Sequence, residues 1–174
     1  MKQIGFVGLG QMGKPMARNL LKNHFSTAVF NRSKGPVREL LEVGAQESSS
    51  LVEMGRTCEV IVLSLPSPEV VRDVTLGANG ITDSPEHSVK TIIDTSTIDP
   101  STSREIELQL LGKGVNFLDA PVSGGPERAA EGTLAFMVGE KKETYEECLG
   151  ILSAMGQNIF YMGKGGSGQG TKLV

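Results

Sequence analysis

The chain has 174 residues, with 17 Lys+Arg against 20 Asp+Glu for a formal net charge of −3, and it is 39% apolar and 21% charged. This is the balance of an ordinary globular protein with a real core, one domain long or one piece of something larger. Mild acidity argues against nucleic acid, which calls for a basic stripe, and no apolar run approaches the ~18–20 residues that cross a bilayer. The N-terminal residues also lack the basic, then apolar, then small order of a secretion signal. Cys58 and Cys148 are too few and too far apart for a disulfide framework or a zinc site. No metal is therefore expected, and both cysteines read as buried thiols in a reducing cytoplasm. Glycine is in excess: 22 residues, most of them gathered at 5–13, 112–139 and 163–170, where average usage would give about 12.

Residues 2–7 read as a short buried strand, followed by a loop over Gly8–Gly13 and a helix over 12–22 with Met12, Met16 and Leu20 on one face. Thr27–Phe30 is a second strand. Ser33 is placed to cap a helix through Val43, and Ser48 to begin a short one ending near Gly55. Val60–Leu65 is an almost unbroken apolar run, the mark of a strand buried on both faces of a parallel sheet. Ser67-Pro68 and Asp99-Pro100 each set a cap residue before a proline at the first helical position, on either side of a strand at Thr91–Asp94. Val115–Leu118, Leu134–Val138 and Asn158–Tyr161 complete the strands, and Tyr145, Cys148, Leu149 and Leu152 form a helical stripe between the last two. Strands alternating with helices predict an α/β fold: a doubly wound, mainly parallel sheet with helices on both faces. Residues 1–162 are read as the folded domain, and the Gly-rich 163–174 as a hinge running into the start of a further helix.

The first glycine cluster, Gly8-Leu9-Gly10-Gln11-Met12-Gly13, is G-x-G-x-x-G placed after a strand and opening a helix. The first glycine permits a tight turn, the second lets a pyrophosphate approach the backbone, and the third lets helix and strand pack closely. Orphan N–H groups at the helix start favour the phosphates. A dinucleotide and a Rossmann-like fold are expected. Where the second strand ends, an acidic residue would bond the ribose 2′-hydroxyl, but this chain has Asn31, then Arg32 and Ser33. A neutral amide does not repel a 2′-phosphate and Arg32 can pair with it, so NADP(H) is expected over NAD(H); otherwise these are turn and surface residues. Leu65-Pro66 and Ser96-Thr97 follow two further strands, on the sheet edge where ligands of open α/β sheets sit, although each pair also reads as a helix entry.

The second cluster, Asp119-Ala120-Pro121-Val122-Ser123-Gly124-Gly125, also follows a strand. Its successive glycines and serine can form an anion-binding concavity, and without Arg or Lys in the loop it suits a carboxylate better than a phosphate; a wide turn is the plain alternative. The closing segment 163–174, which holds the third cluster, carries Lys164 and Lys172. Either can serve as a proton source beside a carbonyl that is receiving hydride. Spacing does not choose between them.

Together these segments resemble the β-hydroxyacid dehydrogenase family, which includes 3-hydroxyisobutyrate dehydrogenase and tartronate semialdehyde reductase. The resemblance runs from residue 3 to the end and rests on Gly8 through Ala17, Asp94 through Pro100, Asp119 through Gly125 continuing to Gly132-Thr133-Leu134, and Gly168 through Lys172. It implies reversible hydride transfer between a nicotinamide cofactor and a small hydroxy, aldehyde or keto acid. Ser123, Gly124 and Gly125 would hold the substrate carboxylate, and Lys172 rather than Lys164 would carry the proton. Asn31-Arg32-Ser33 is similar to the NADPH-using branch, whose members tend to reduce glyoxylate, succinic semialdehyde or tartronate semialdehyde. Family members continue past this lysine into an all-helical domain with an Asn four residues on, whereas this chain ends two residues after Lys172. The expectation is the cofactor domain of a larger homo-oligomeric enzyme (a dimer or tetramer through that domain), inactive on substrate by itself. The alternative is a catalytically silent NADP-binding sensor or assembly module. Neither nucleic acid nor membrane is expected as a partner.

Overall fold

A computed structural model describes residues 3–173. Lys2, in the first predicted strand, and Val174, in the predicted last helix, lie outside the described residues. Strand β1 (Ile4–Val7) is buried throughout, as an apolar run between two neighbouring strands must be. It leads through the glycine turn into α1 (Gly13–Lys22) and on to β2 (Thr27–Phe30), α2 (Lys34–Leu41) and β3 (Gln46–Glu47). The next units are α3 (Leu51–Thr57), β4 (Val60–Leu63), α4 (Pro68–Leu76), β5 (Thr91–Asp94), α5 (Pro100–Leu111) and β6 (Asn116–Asp119). These six strands lie parallel in the order β3-β2-β1-β4-β5-β6, which is that of a dinucleotide-binding sheet with a crevice where the order reverses between β1 and β4.

The remaining chain extends the sheet with a change of direction. It comprises β7 (Val122–Ser123), α6 (Gly125–Glu131), β8 (Leu134–Gly139), α7 (Lys142–Met155), β9 (Gly156–Gly163) and α8 (Ser167–Lys172). Strand β8 runs antiparallel to β6 and β7 on one side and parallel to the edge strand β9 on the other. Two apolar cores flank the sheet. One joins Met16 and Leu20 of α1, Val37 and Leu40 of α2, and Cys148 and Leu152 of α7; the other joins Met54 of α3, Val71 of α4, and Ile106 and Leu110 of α5. The doubly wound, mainly parallel α/β fold is thus as expected.

Several details differ from the sequence reading. The short helix begins at a Ser50 cap, whose hydroxyl accepts from Glu53 N at 3.0 Å, while the Ser48 hydroxyl donates to Ser50 O. Ser33 occupies the cap position of α2 but makes no capping bond, and that helix ends at Leu41, short of Val43. The stretch after Ser123 contains α6 rather than a wide turn alone. The 163–170 segment, expected as a hinge, holds the end of β9 and most of α8, and Gly165, Gly166, Gly168 and Gln169 are buried in it. Cys58 and Cys148 are both buried and free. No helix among the described residues is long and apolar enough to cross a membrane.

Candidate functional site

The carboxyl ends of β1, β2 and β4 open onto a cleft of about 640 Å³ lined by Gly8, Leu9, Gly10, Gln11, Met12, Asn31, Arg32, Ser33, Leu65 and Pro66 of the predicted residues. Ser64, Pro36 and Val70, which the sequence reading did not single out, complete the lining. Gly8 has φ +96°, and a Cβ there would overlap the Ser64 carbonyl, so the turn after β1 requires glycine. Gly13 does not line the cleft. Its bare Cα face lies against the Gly8 carbonyl and draws α1 onto the turn. A Cβ at Gly10, in contrast, would meet nothing within 4 Å. The first turn of α1 carries neither a capping side chain nor an acidic residue, so the partial positive charge of the helix start faces the cleft end with no carboxylate of its own turn to offset it. Open space at the second glycine and a bare helix start are the features a pyrophosphate needs, and these residues fit a dinucleotide.

Asn31 lines the cleft and also has a structural task. Its Oδ1 accepts from Leu9 N at 2.9 Å and its Nδ2 donates to Ser33 O at 2.9 Å. The side chain therefore braces the glycine turn against the loop after β2. Beside it Arg32 is exposed and makes no ion pair among the described residues, whereas Lys34 lies over the Phe30 ring and reaches Glu47. Arg32 is the arginine among the residues that line the cleft.

A second cavity of about 310 Å³ adjoins the first and shares Met12, Ser64 and Leu65 with it. Its other walls are Thr95, Ser96, Thr97, Val122, Ser123, Gly124, Gly125 and Lys172. The sequence-predicted Ser96, Thr97, Ser123, Gly124, Gly125 and Lys172 thus come together from separate segments of the chain. The Lys172 Nζ donates to the Val122 carbonyl at 2.8 Å, which points the amine along the Ser123–Gly125 loop. Lys164 is exposed and does not line this cavity. Ser96 is buried and its polar atoms are engaged: its hydroxyl accepts from Leu65 N at 2.8 Å and its carbonyl from the Gln169 side chain at 2.6 Å.

Behind this cavity lie two carboxyls that the sequence reading gave no role. Asp94 and Asp119 are register partners at the ends of β5 and β6, and both are fully buried. Asp119 accepts from Gly166 N through Oδ1 and from Gln169 N through Oδ2, each at 2.8 Å. Burial pushes its carboxyl up to about 6 against the pull of those N–H donors. Burial also pushes Asp94 up to about 7; hydrogen bonds from Ser96 oppose the shift and the Asp119 charge adds to it. The Asp94 Oδ2 has no hydrogen-bond partner among the described residues. A strand ending in Asp amid apolar neighbours was the available signal for both. Among the described residues no group of three or more His, Cys, Asp or Glu is placed to hold a metal ion.

Known proteins are similar to this chain in sequence and fold. Residues 3–163 match the family of the NAD binding domain of 6-phosphogluconate dehydrogenase. The chain is 39% identical over 170 residues to mouse mitochondrial 3-hydroxyisobutyrate dehydrogenase, covering 98% of this chain and 50% of the relative. It is 40% identical over 171 residues to the chloroplastic glyoxylate/succinic semialdehyde reductase 2 of Arabidopsis thaliana, covering 98% and 48%. Among solved structures, Mycobacterium tuberculosis 3-hydroxyisobutyrate dehydrogenase with L-serine superposes with a TM-score of 0.90 at 34% identity, covering 99% of this chain and 58% of that one. The chain spans about half the length of the curated relatives it matches. With the sheet order, the glycine turn and these matches together, the chain belongs to the family of the NAD binding domain of 6-phosphogluconate dehydrogenase.

Proposed function

We propose that this chain is the cofactor-binding part of an NADP(H)-dependent reductase that reversibly interconverts a small aldehyde or keto acid, such as a semialdehyde or glyoxylate, and its hydroxy acid. The observation that carries this reading is the meeting of the two cavities along Met12, Ser64 and Leu65, with the Lys172 amine and the Ser123–Gly125 loop on the far side of the junction. The relatives named above favour a short acid as substrate.

A bound nicotinamide supplies the hydride. Gly8–Met12 and the start of α1 would hold its diphosphate, Leu65 and Pro66 would flank the adenosine or the diphosphate, and Ser96 and Thr97, in the second cavity, would lie toward the nicotinamide. Arg32, with no competing carboxylate, takes the 2′-phosphate, and Ser33 adds a hydroxyl beside it. Ser123, Gly124 and Gly125 hold the substrate carboxylate, which fixes the orientation of the carbonyl on the same short chain. Lys172 donates a proton to the carbonyl oxygen as hydride reaches the carbon and accepts it again in the oxidative direction. The Val122 carbonyl restrains the amine for that transfer.

The test is NADPH and NADH oxidation by the whole gene product against a panel of short semialdehydes and keto acids. Expected is turnover that favours NADPH and falls by roughly 10²-fold or more in Lys172→Ala. A wild type that prefers NADH removes the cofactor assignment. Tight NADPH binding without turnover on any member of the panel removes the reductase reading in favour of a silent binding module.

A further inference from the structure

Helix α8 has six residues, Ser167–Lys172, too few to be stable alone. Its geometry must come from what it touches. The Asp119 carboxylate gathers the N–H groups of Gly166 and Gln169 at its start, in place of any capping side chain of its own. The Gln169 side chain is fully buried and both ends of its amide are used. Its Nε2 donates to Ser96 O at 2.6 Å, and its Oε1 accepts from Ile98 N at 3.2 Å. Gln169 thus pairs with the segment after β5 as a strand neighbour would. That segment in turn holds the segment after β4, because the Ser96 hydroxyl accepts from Leu65 N. Bare glycine surfaces allow the close approach: a Cβ at Gly168 would overlap the Met137 carbonyl of β8.

We infer that Gln169 and Asp119 are positioning residues that hold the Lys172 amine in register with the cofactor cleft, by clamping its short helix to the strand ends that line both cavities. Lys172 lies three residues past Gln169, on the next turn of the same helix, so the clamp fixes where its side chain departs. The inference rests on the reading of Lys172 as the proton donor. Its physical core, the coupling of Gln169 to the amine, stands apart from that reading and can be measured apart.

The test compares Gln169→Leu and Gln169→Glu with wild type in the whole gene product. Leucine fills the space and makes neither bond. The introduced carboxyl of Gln169→Glu accepts from Ile98 N when ionised but donates to Ser96 O only when protonated. Expected for Gln169→Leu is a fall of about 10²-fold in kcat, with the Kd for NADPH within about threefold of wild type. For Gln169→Glu, the ratio of its kcat to that of wild type rises roughly tenfold or more as pH falls from about 8 to about 5. A flat ratio overturns the inference, because the bond to Ser96 O returns only with the proton; a ratio that rises only in step with a tightening Kd for NADPH, measured at each pH, marks a merely structural role and overturns it too. So does a Gln169→Leu protein whose loss is confined to NADPH binding.

A second readout needs no turnover. In folded protein with NADPH bound, reductive methylation of Lys172 relative to exposed Lys164, quantified on peptides, is expected to rise about threefold or more in Gln169→Leu. An unchanged ratio overturns the positioning role. A raised ratio in a protein inactive on every substrate supports the clamp while removing the reductase proposal.

Discussion

Arg32 and Asn31 are adjacent in sequence and line one cleft, Asn31 bonded into the glycine turn and Arg32 exposed. Arg32 is exposed with its charge unspent, so its replacement should act on binding and not on folding. Arg32→Ala is expected to weaken NADPH by roughly 10–100-fold, the worth of one charge-assisted pair of about 1.5–3 kcal/mol, while changing NADH affinity less than about threefold. Fluorescence titration with both cofactors checks this, and equal losses for both would remove Arg32 from the 2′-phosphate. Asn31 was legible in the sequence as a residue at this edge, but its task was not. Only the fold brings Leu9 N within 2.9 Å of its side chain, from 22 residues away.

Among the elements, those with local signals were read well and those held by distant partners were not. The Asp99-Pro100 pair announces α5: Asp99 Oδ2 accepts from Thr102 N at 2.8 Å and from the hydroxyls of Ser101 and Thr102. These donors, the Ser101 hydroxyl foremost, lower the Asp99 carboxyl to about 2. Its contribution is therefore present above its unfolded value near 4 and is lost as pH falls toward 2. Asp99→Ala is expected to destabilise by about 1 kcal/mol at neutral pH, read as a lowered midpoint in urea; no change would mean the proline alone sets the helix start. Strand β3 has only two residues, both exposed, so no hydrophobic pattern marks it. Helix α6 buries only Ala129 and opens on Gly125-Pro126, which reads as loop by composition. Helix α8 looked like a hinge for the same reason. Its glycines instead make the bare surface that lets a short helix settle against β8 and α5.

At the scale of the molecule, two buried carboxyls at neighbouring strand ends make stability depend on pH in an unusual direction. Burial raises both Asp94 and Asp119 above their unfolded value of 3.8, so ionising them costs the fold. That cost is absent below about pH 4, grows as pH rises through about 6 and 7, and is complete above. Asp94→Asn removes the larger share while keeping an acceptor for Ser96 N. It is expected to raise stability at about pH 8 by a few kcal/mol, because each tenfold change in proton affinity on folding is worth about 1.4 kcal/mol, with little effect near pH 4. Urea midpoints across that range test the point. Equal effects of the variant at both ends of it would show that the Asp94 charge is not what the fold resists.

The sequence alone was enough for the alternation of strands and helices, the dinucleotide turn and the segments that carry the candidate site. Those features are local: periodicity, caps and glycine spacing act within a few residues. The tertiary structure decided which of those residues face the same space and what holds them there. The reversal of strand direction at β8, the joining of two cavities across Met12 and Leu65, and the clamp from Asp119 and Gln169 onto Ser96 all depend on contacts between segments distant in sequence. Such contacts depend on register and burial, which no local pattern encodes.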